Sequence, residues 1–494
     1  MILRPSRGDT LLSQPGWLLL LCGLGCAPGG KEGEPTDFPA DFVFGAAVAG
    51  FQVDPGCPTI PAEDCEDRAS DWYQWVTDPE LIAQPGNYLS GEPLSNGPGH
   101  WELYDEDFAR AGGELGLDSV RVSLEWSRLF PTEPLGAVTV EDLVQAADPV
   151  AVAAYHDYLA SIAAHGLEPL VTLNHYTLPL WLHDAKACHA DLSTCEDKGW
   201  ADAERMKTQI ALYAGFCALE FGDEVDLWAT LNEPFAVVLS GYLLPSEDRT
   251  NPPGVINIDA AIGVMWAMVE AHGLMYDAVH AYDSTAQVGL VPNLVAVRPE
   301  DPTREADVRG AEHLDYVYNR AFLEGTIRGR IDRDLDGVAE EERPDLVGKM
   351  DYIGVNYYTQ ITATGLDAPL FVNYPWTDFV PAGGYFTEYP EGLAEVLVEA
   401  AEYGLPLRVT ENGTSDMEGA TERFLVPHLE AVRSAIAEGA DVEGYYVWSL
   451  TDNYEWNHGM SMTFGLYEVN VETKARTLRP LGADYAQIVR QRRL

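Results

Sequence analysis

The sequence predicts an α/β chain folded as a single (β/α)8 TIM barrel, on three observations. Eight short runs rich in β-branched residues are spread along it, amphipathic helical patterns separate them, and no linker interrupts the alternation. The runs cover 42–48, 118–124, 168–174, 225–232, 287–293, 351–356, 406–411 and 443–448, and eight is the number that closes a parallel barrel. The helical patterns fall at 104–115, 150–165, 205–221, 258–282, 305–323, 389–403 and 422–438. Long loops are expected after the first strand (54–99) and the sixth (359–386), where they would wall a cleft at the strand ends.

A barrel of this kind can absorb most of the 494 residues, so one catalytic domain is expected over 38–494. With 46% apolar and 10% aromatic residues the chain has ample material for a core. Its 12 Trp and 24 Tyr are many for the size; most serve packing, and the rest can offer aromatic faces to a ligand in a cleft.

Ahead of that domain, Arg4 and Arg7 precede an apolar stretch over 17–25, then Cys26 and a Pro/Gly/Glu-rich segment. Charged, apolar and small residues in that order make 1–26 a secretory signal too short to span a bilayer, with 27–37 as a flexible tether. Leu24-Gly25-Cys26 resembles the end of a bacterial lipoprotein signal. Lipidation of Cys26, ordinary cleavage and an uncleaved anchor all stay open. The expected location is exported: periplasmic, outer-membrane lipoprotein or extracellular, with a lipid on Cys26 as the only membrane link. Two close cysteine pairs, Cys57 with Cys65 and Cys188 with Cys195, agree with an oxidising compartment, and Cys217 sits in an apolar helical context.

A net charge of −49 excludes nucleic acid as a partner and disfavours anionic substrates unless a local cationic pocket exists. The acidic excess otherwise means a well-solvated surface. The sequence sets no oligomeric state.

The chemistry-bearing signal is a pair of segments, Thr230-Leu231-Asn232-Glu233-Pro234 and Val409-Thr410-Glu411-Asn412-Gly413, each placing one Glu at the end of a β-prone run. Two carboxyls at strand ends are what glycosidic bond cleavage needs, one to protonate the leaving oxygen and one to attack the anomeric carbon. Five further motifs lie in order around them. They are Phe44-Gly45-Ala46-Ala47-Val48-Ala49-Gly50-Phe51-Gln52, Arg121-Val122-Ser123-Leu124-Glu125-Trp126-Ser127-Arg128, Asn174-His175-Tyr176-Thr177-Leu178-Pro179, Asn356-Tyr357-Tyr358-Thr359 and Trp448-Ser449-Leu450-Thr451-Asp452-Asn453-Tyr454-Glu455-Trp456.

This ordered set resembles family 1 glycoside hydrolases, and in detail the β-glycosidases of hyperthermophilic archaea. Asp71-Trp72-Tyr73-Gln74-Trp75, Asn96-Gly97-Pro98-Gly99 and Ser461-Met462 are similar to that subgroup. The resemblance implies a retaining exo-β-glycosidase acting on terminal glucosyl, galactosyl or fucosyl residues, with a β-glucoside or short oligosaccharide as substrate and no required cofactor. Glu233 would be the general acid/base and Glu411 the nucleophile, with carboxyls roughly 5 to 5.5 Å apart. Glu233 should have its ionisation raised while Glu411 stays ionised, kept so by Arg121 and Tyr358. Gln52, His175, Asn232, Asn356, Trp448, Glu455 and Trp456 would hold the terminal sugar. A transglycosidase would share these residues, and an exported sugar-binding protein could keep the pocket without turnover.

Trp456 and Met462-Thr463-Phe464 lack the Lys and Tyr that hold phosphate in relatives acting on 6-phospho-sugars, so an unphosphorylated substrate is implied. Tyr176 stands where the family usually has Trp. Separately, Asp332, Asp334 and Asp336 followed by Gly337 match the opening of a calcium loop, and Glu340, Glu341 or Glu342 could complete a structural calcium site. Arg343 holds the position of the usual closing Glu, which leaves an unliganded acidic loop as the alternative.

Overall fold

In the computed structural model, residues 37–247, 249–382 and 387–494 are described. The signal and tether assigned to 1–37 lie outside them save for Asp37, and Phe38–Leu494 forms one unit. Eight parallel strands close on themselves: β1 (Val43–Ala47), β2 (Ser119–Ser123), β3 (Glu168–Asn174), β4 (Leu227–Asn232), β5 (Gln287–Val291), β6 (Tyr352–Gly365), β7 (Leu407–Asn412) and β8 (Val442–Trp448). Each pairs in parallel with the next, and β8 pairs with β1 through Val43↔Gly444 to Ala47↔Trp448, completing the ring. All eight expected strands are therefore present.

The helices form the outer layer. Pro149–Ala164 and Ala203–Phe221 begin on Asp148 and Asp202, whose carboxylates accept from the first-turn amides and satisfy donors that the helix itself leaves open. Ile258–Tyr282 is capped in the same way by Asn257 and packs against Ala203–Phe221, with Val264, Met265, Met268, Met275 and Val279 buried. Predicted helices 104–115, 305–323 and 422–438 each contain a π-helical turn, at Arg110–Leu115, Tyr316–Arg320 and Thr421–Leu425.

Two expectations change. The stretch after the sixth strand is not a loop throughout: β6 runs on to Gly365 because Thr359, Ile361, Thr362 and Thr364 continue a β-branched run that finds partners outside the barrel. Asn293–Pro299, separated from β5 by Pro292, pairs with it in parallel, and Phe379–Ala382 pairs antiparallel through Phe379↔Gly365. The segment after the first strand carries the short helices Ala62–Cys65, Asp71–Thr77 and Pro79–Ile82.

Both cysteine pairs are closed as disulfides, Cys57–Cys65 and Cys188–Cys195, while Cys217 is buried and burial pushes its thiol up.

Candidate active site

At the C-terminal ends of the strands lies a cavity of about 350 Å³. Its lining includes Gln52 after β1, His175 and Tyr176 after β3, Asn232 and Glu233 at the end of β4, Tyr358 on β6, Glu411 on β7, and Trp448, Glu455 and Trp456 at and after β8. Arg121 and Asn356 stand behind this wall and are bonded to it.

The backbone is irregular where the two acids sit. The pairing of β4 with β5 shifts register between Ala229 and Asn232, and β7 shifts against both neighbours between Val409 and Asn412. Such bulges re-aim a side chain that a regular strand would send to the barrel core. Glu233 adopts φ 44°, a left-handed conformation that non-glycine residues hold only when their surroundings fix it. Its N–H donates to the Val291 carbonyl (2.7 Å), and Pro234 opens the helix Pro234–Val238 behind it. Tyr176 (φ 71°) and Trp456 (φ 45°) show the same strain.

The two carboxyls have different partners. Glu411 receives the Arg121 guanidinium on Oε1 and the Tyr358 hydroxyl on Oε2 at 2.6 Å. Glu233 receives Asn356 Nδ2 on Oε1 at 2.9 Å and the Tyr176 hydroxyl on Oε2. Asn232 Oδ1 joins the two halves by accepting from Arg121 (2.7 Å) and from Asn356 (3.1 Å). Among the described residues, the formal cation bonded to the pair serves Glu411, and the donors bonded to Glu233 are neutral.

Burial pushes the Glu411 carboxyl up to about 7, Arg121 pulls it down, and the charge of Glu233 pushes it up again. Arg121 and Tyr358 both bond Glu411 as expected and favour its charged form, against the loss of water on burial. Tyr358 stays protonated, since burial and the Glu411 charge hold its ionisation well above the usual tyrosine range.

Around the acids the polar wall is prepared for hydroxyl groups. Asn232 Nδ2 donates to His175 Nε2 at 3.0 Å, and burial together with Arg121 and Arg249 pushes the imidazole well below its usual range, so the ring is neutral and carries its proton on Nδ1. Among the described residues, that buried Nδ1 and the buried Oε1 of Gln52 have no hydrogen-bond partner. Gln52 Nε2 donates to Glu455 Oε2 (2.9 Å) and Asn453 Oδ1 (3.0 Å). Rings of Trp448 and Trp456 stack on His175 at 6.1 and 6.0 Å.

With this geometry in place, comparison with known proteins identifies the chain. Residues 34–494 match glycosyl hydrolase family 1. The chain belongs to glycosyl hydrolase family 1. This family 1 enzyme is similar to a β-galactosidase of Pyrococcus woesei, 34% identical over an alignment covering 90% of this chain and 94% of that protein. It is also similar to a β-galactosidase of Sulfolobus acidocaldarius, at 32% identity over 92% and 95% of the two chains. Among solved structures, the β-glycosidase of Thermosphaera aggregans superposes with a TM-score of 0.82 at 30% identity, covering 93% of this chain and 98% of that one.

Arg249 is a cavity-lining residue that sequence reasoning missed. Its Nη1 lies 3.4 Å from Glu455 Oε1, and its guanidinium lies over the rings of Tyr176 (5.1 Å) and Trp456 (5.7 Å). No motif marks it; it stands in a polar loop after β4.

The acidic loop stands apart, and none of its predicted ligands lines the cavity. Carboxylate oxygens of Asp332, Asp334 and Glu340 lie within 4.8 Å of one another, but Asp336 is not among them. Asp336 accepts instead from the Val338 amide (2.8 Å), because the left-handed turn at Leu335 (φ 57°) redirects the chain before it. Asp332 is fully buried; its Oδ2 accepts from the Gly337 amide (2.6 Å) and the Tyr316 hydroxyl (2.7 Å), and its Oδ1 from the Asp336 amide (3.2 Å).

Proposed function

We propose that this family 1 enzyme is a retaining exo-β-glycosidase that releases terminal β-glucosyl or β-galactosyl residues by double displacement. The observation that carries the reading is the pair of buried carboxyls on one cavity with unlike partners, a cation on Glu411 and, among the described residues, neutral donors on Glu233. In the first step Glu411 attacks the anomeric carbon while Glu233 gives its proton to the departing oxygen, and a glycosyl ester forms on Glu411. In the second, Glu233 takes a proton from water as that water attacks the ester carbon, which frees the sugar and restores both carboxyls. No organic cofactor or catalytic metal enters the scheme.

His175 Nδ1 and Gln52 Oε1 offer one donor and one acceptor, the complement a single hydroxyl requires, and suit the 3-hydroxyl. Asn232 suits the 2-hydroxyl, Glu455 the 4- and 6-hydroxyls, and Trp448 the apolar face of the ring. The preference for glucosides and galactosides also draws on relatives, among them the β-galactosidase of Pyrococcus woesei and the β-glucosidase A of Thermotoga maritima. Export of the enzyme is part of the same proposal, supported by the N-terminal charge pattern and the two disulfides.

The test is Glu411→Gly. Hydrolysis should fall by more than about 10⁴-fold, and azide should restore turnover of an activated aryl glycoside only, yielding the α-glycosyl azide. Hydrolysis at the wild-type rate in that variant would remove Glu411 from the reaction.

A further inference from the structure

Tyr176 replaces the family's usual Trp at one position of the third-strand motif, and its hydroxyl donates to Oε2 of Glu233. The residue is buried, lines the cavity and holds a left-handed backbone at φ 71°. Strain of that kind persists only where several contacts over-determine the conformation. Here Trp456 packs edge-on at 4.9 Å, His175 does so at 5.3 Å, and the Arg249 guanidinium lies 5.1 Å from the ring centre. Asn356 Nδ2 takes the other oxygen of Glu233 at 2.9 Å. Each oxygen of that carboxyl therefore receives one donor, a fixed amide on one side and a rotatable hydroxyl on the other.

We propose that Tyr176 is a positioning residue for Glu233, whose hydroxyl stabilises the ionised carboxylate and so makes Glu233 a stronger acid toward the departing oxygen. The inference rests on Glu233 being the acid/base of the reaction. A phenol hydroxyl can both donate and accept, whereas an indole N–H can only donate. The hydroxyl donates to Oε2, and that bond strengthens once Glu233 has given up its proton and become charged. Tyr176 itself neither gains nor loses a proton. Burial and the neighbouring Glu233 charge hold its ionisation well above the usual tyrosine range. The proton that leaves Glu233 goes to the aglycone oxygen, and the attacking water replaces it in the second step. Arg249 lies over the same ring and reaches Glu455, which mechanically joins the carboxylate facing the sugar's outer hydroxyls to the one facing the leaving group.

The test uses aryl β-glucosides of graded leaving-group acidity and the full pH profile of kcat/KM. Tyr176→Phe keeps the ring and removes the donor. It should lower kcat/KM about tenfold for the poorest leaving groups, leave the most activated ones nearly unchanged, and move the alkaline limb up by about one pH unit. Placing 3-fluorotyrosine at 176 makes the phenol a stronger donor and should move that limb down. An alkaline limb unmoved in both, with KM raised equally for every aryl group, would reduce Tyr176 to a wall of the pocket and overturn the proposal. Glu233→Ala, measured on the same series, separates the two claims. A loss independent of leaving group there would sink the acid/base reading itself. A steep dependence there, with both Tyr176 changes leaving the limb in place, would sink the role of Tyr176 alone.

Discussion

Gln52 and Asp54 stand two residues apart, yet Gln52 bonds an acid of the cleft while Asp54 belongs to a separate cluster of buried acids, and the contrast between these clusters shows what makes a carboxyl chemically useful. In the cleft, Glu233, Glu411 and Glu455 line a cavity with Arg121 and Arg249 as the cations bonded to them. In the second cluster, Asp54, Asp67 and Glu125 share Arg128, which lies 3.1 Å from Asp54 and also donates to the Cys65 carbonyl at 2.6 Å. Ser127 donates to Asp67 (2.5 Å), and Ser123 (3.0 Å) and Thr177 (2.6 Å) donate to Glu125. Burial pushes Asp54 up to about 6 and Glu125 up to about 8, the second at least as far as Glu411. Perturbed ionisation is therefore common to both. What distinguishes the cleft is access: none of Asp54, Asp67 and Glu125 lines the cavity, and their oxygens are occupied by the protein's own hydroxyls and guanidinium.

The sharpest way to break that comparison is to remove one acid from the cleft. Glu233→Ala should lower kcat/KM for alkyl or sugar aglycones by about 10² to 10⁴-fold while sparing activated aryl glycosides, because only a poor leaving group needs the proton. Equal loss for both kinds of substrate would mean that Glu233 is as structural as the second cluster.

A smaller effect is expected from loosening the support of Glu411, the proposed nucleophile. Tyr358 donates to Glu411 and so favours its charged form, against burial. As the proposed nucleophile Glu411 must be ionised, and burial pushes its carboxyl up to about 7, so kcat/KM should fall as pH drops through that value. Removing a donor to the carboxylate makes it harder to ionise. Tyr358→Phe should therefore shift the acidic limb upward by about one pH unit, and a limb that stays in place or moves down would show that the hydroxyl does not act on Glu411.

Much of this arrangement is legible in the sequence, for a physical reason. Strand ends in a parallel barrel converge on one face, so a residue such as Glu233, Asn232, Glu411 or Trp448 at the end of a β-prone run is brought to that face by the topology, while local register shifts and backbone conformation aim the side chain. Other features depend on partners far along the chain. The outer half of β6 exists because 293–299 and 379–382 pair with it, and nothing local to Thr359 or Ile361 announces those partners. Arg249 reaches the cleft from a loop whose path is set by tertiary packing. After the left-handed turn at Leu335 the Asp336 amide faces the carboxylates of Asp332 and Asp334 while its own carboxylate accepts from Val338, although the alternate spacing suggests a shared site. The hydroxyl of Tyr176 points at Glu233 only because of its left-handed backbone, whereas its identity foretells no more than an aromatic wall.

The smallest effect on activity, and the sharpest edge of the comparison, is expected from Glu125→Gln. With its carboxyl raised to about 8, Glu125 is protonated at neutral pH, and the amide has the same shape and no charge. Activity at pH 7 should be nearly unchanged, because the residue does not line the cavity. Stability should respond in a definite direction. In the unfolded chain a Glu ionises near 4.3, so between about 4.3 and 8 the folded state holds a proton that the unfolded state has released. The stabilisation by the neutral carboxyl is fully present below that window and is lost as pH rises through about 8. Gln at this position cannot ionise in either state, so the variant should match the wild-type Tm near pH 4 and exceed it at pH 8.5. A variant less stable than the wild type at pH 8.5 would mean that Glu125 is held as a charge paired with Arg128, and the second cluster would then be an ion-pair network like that of the cleft.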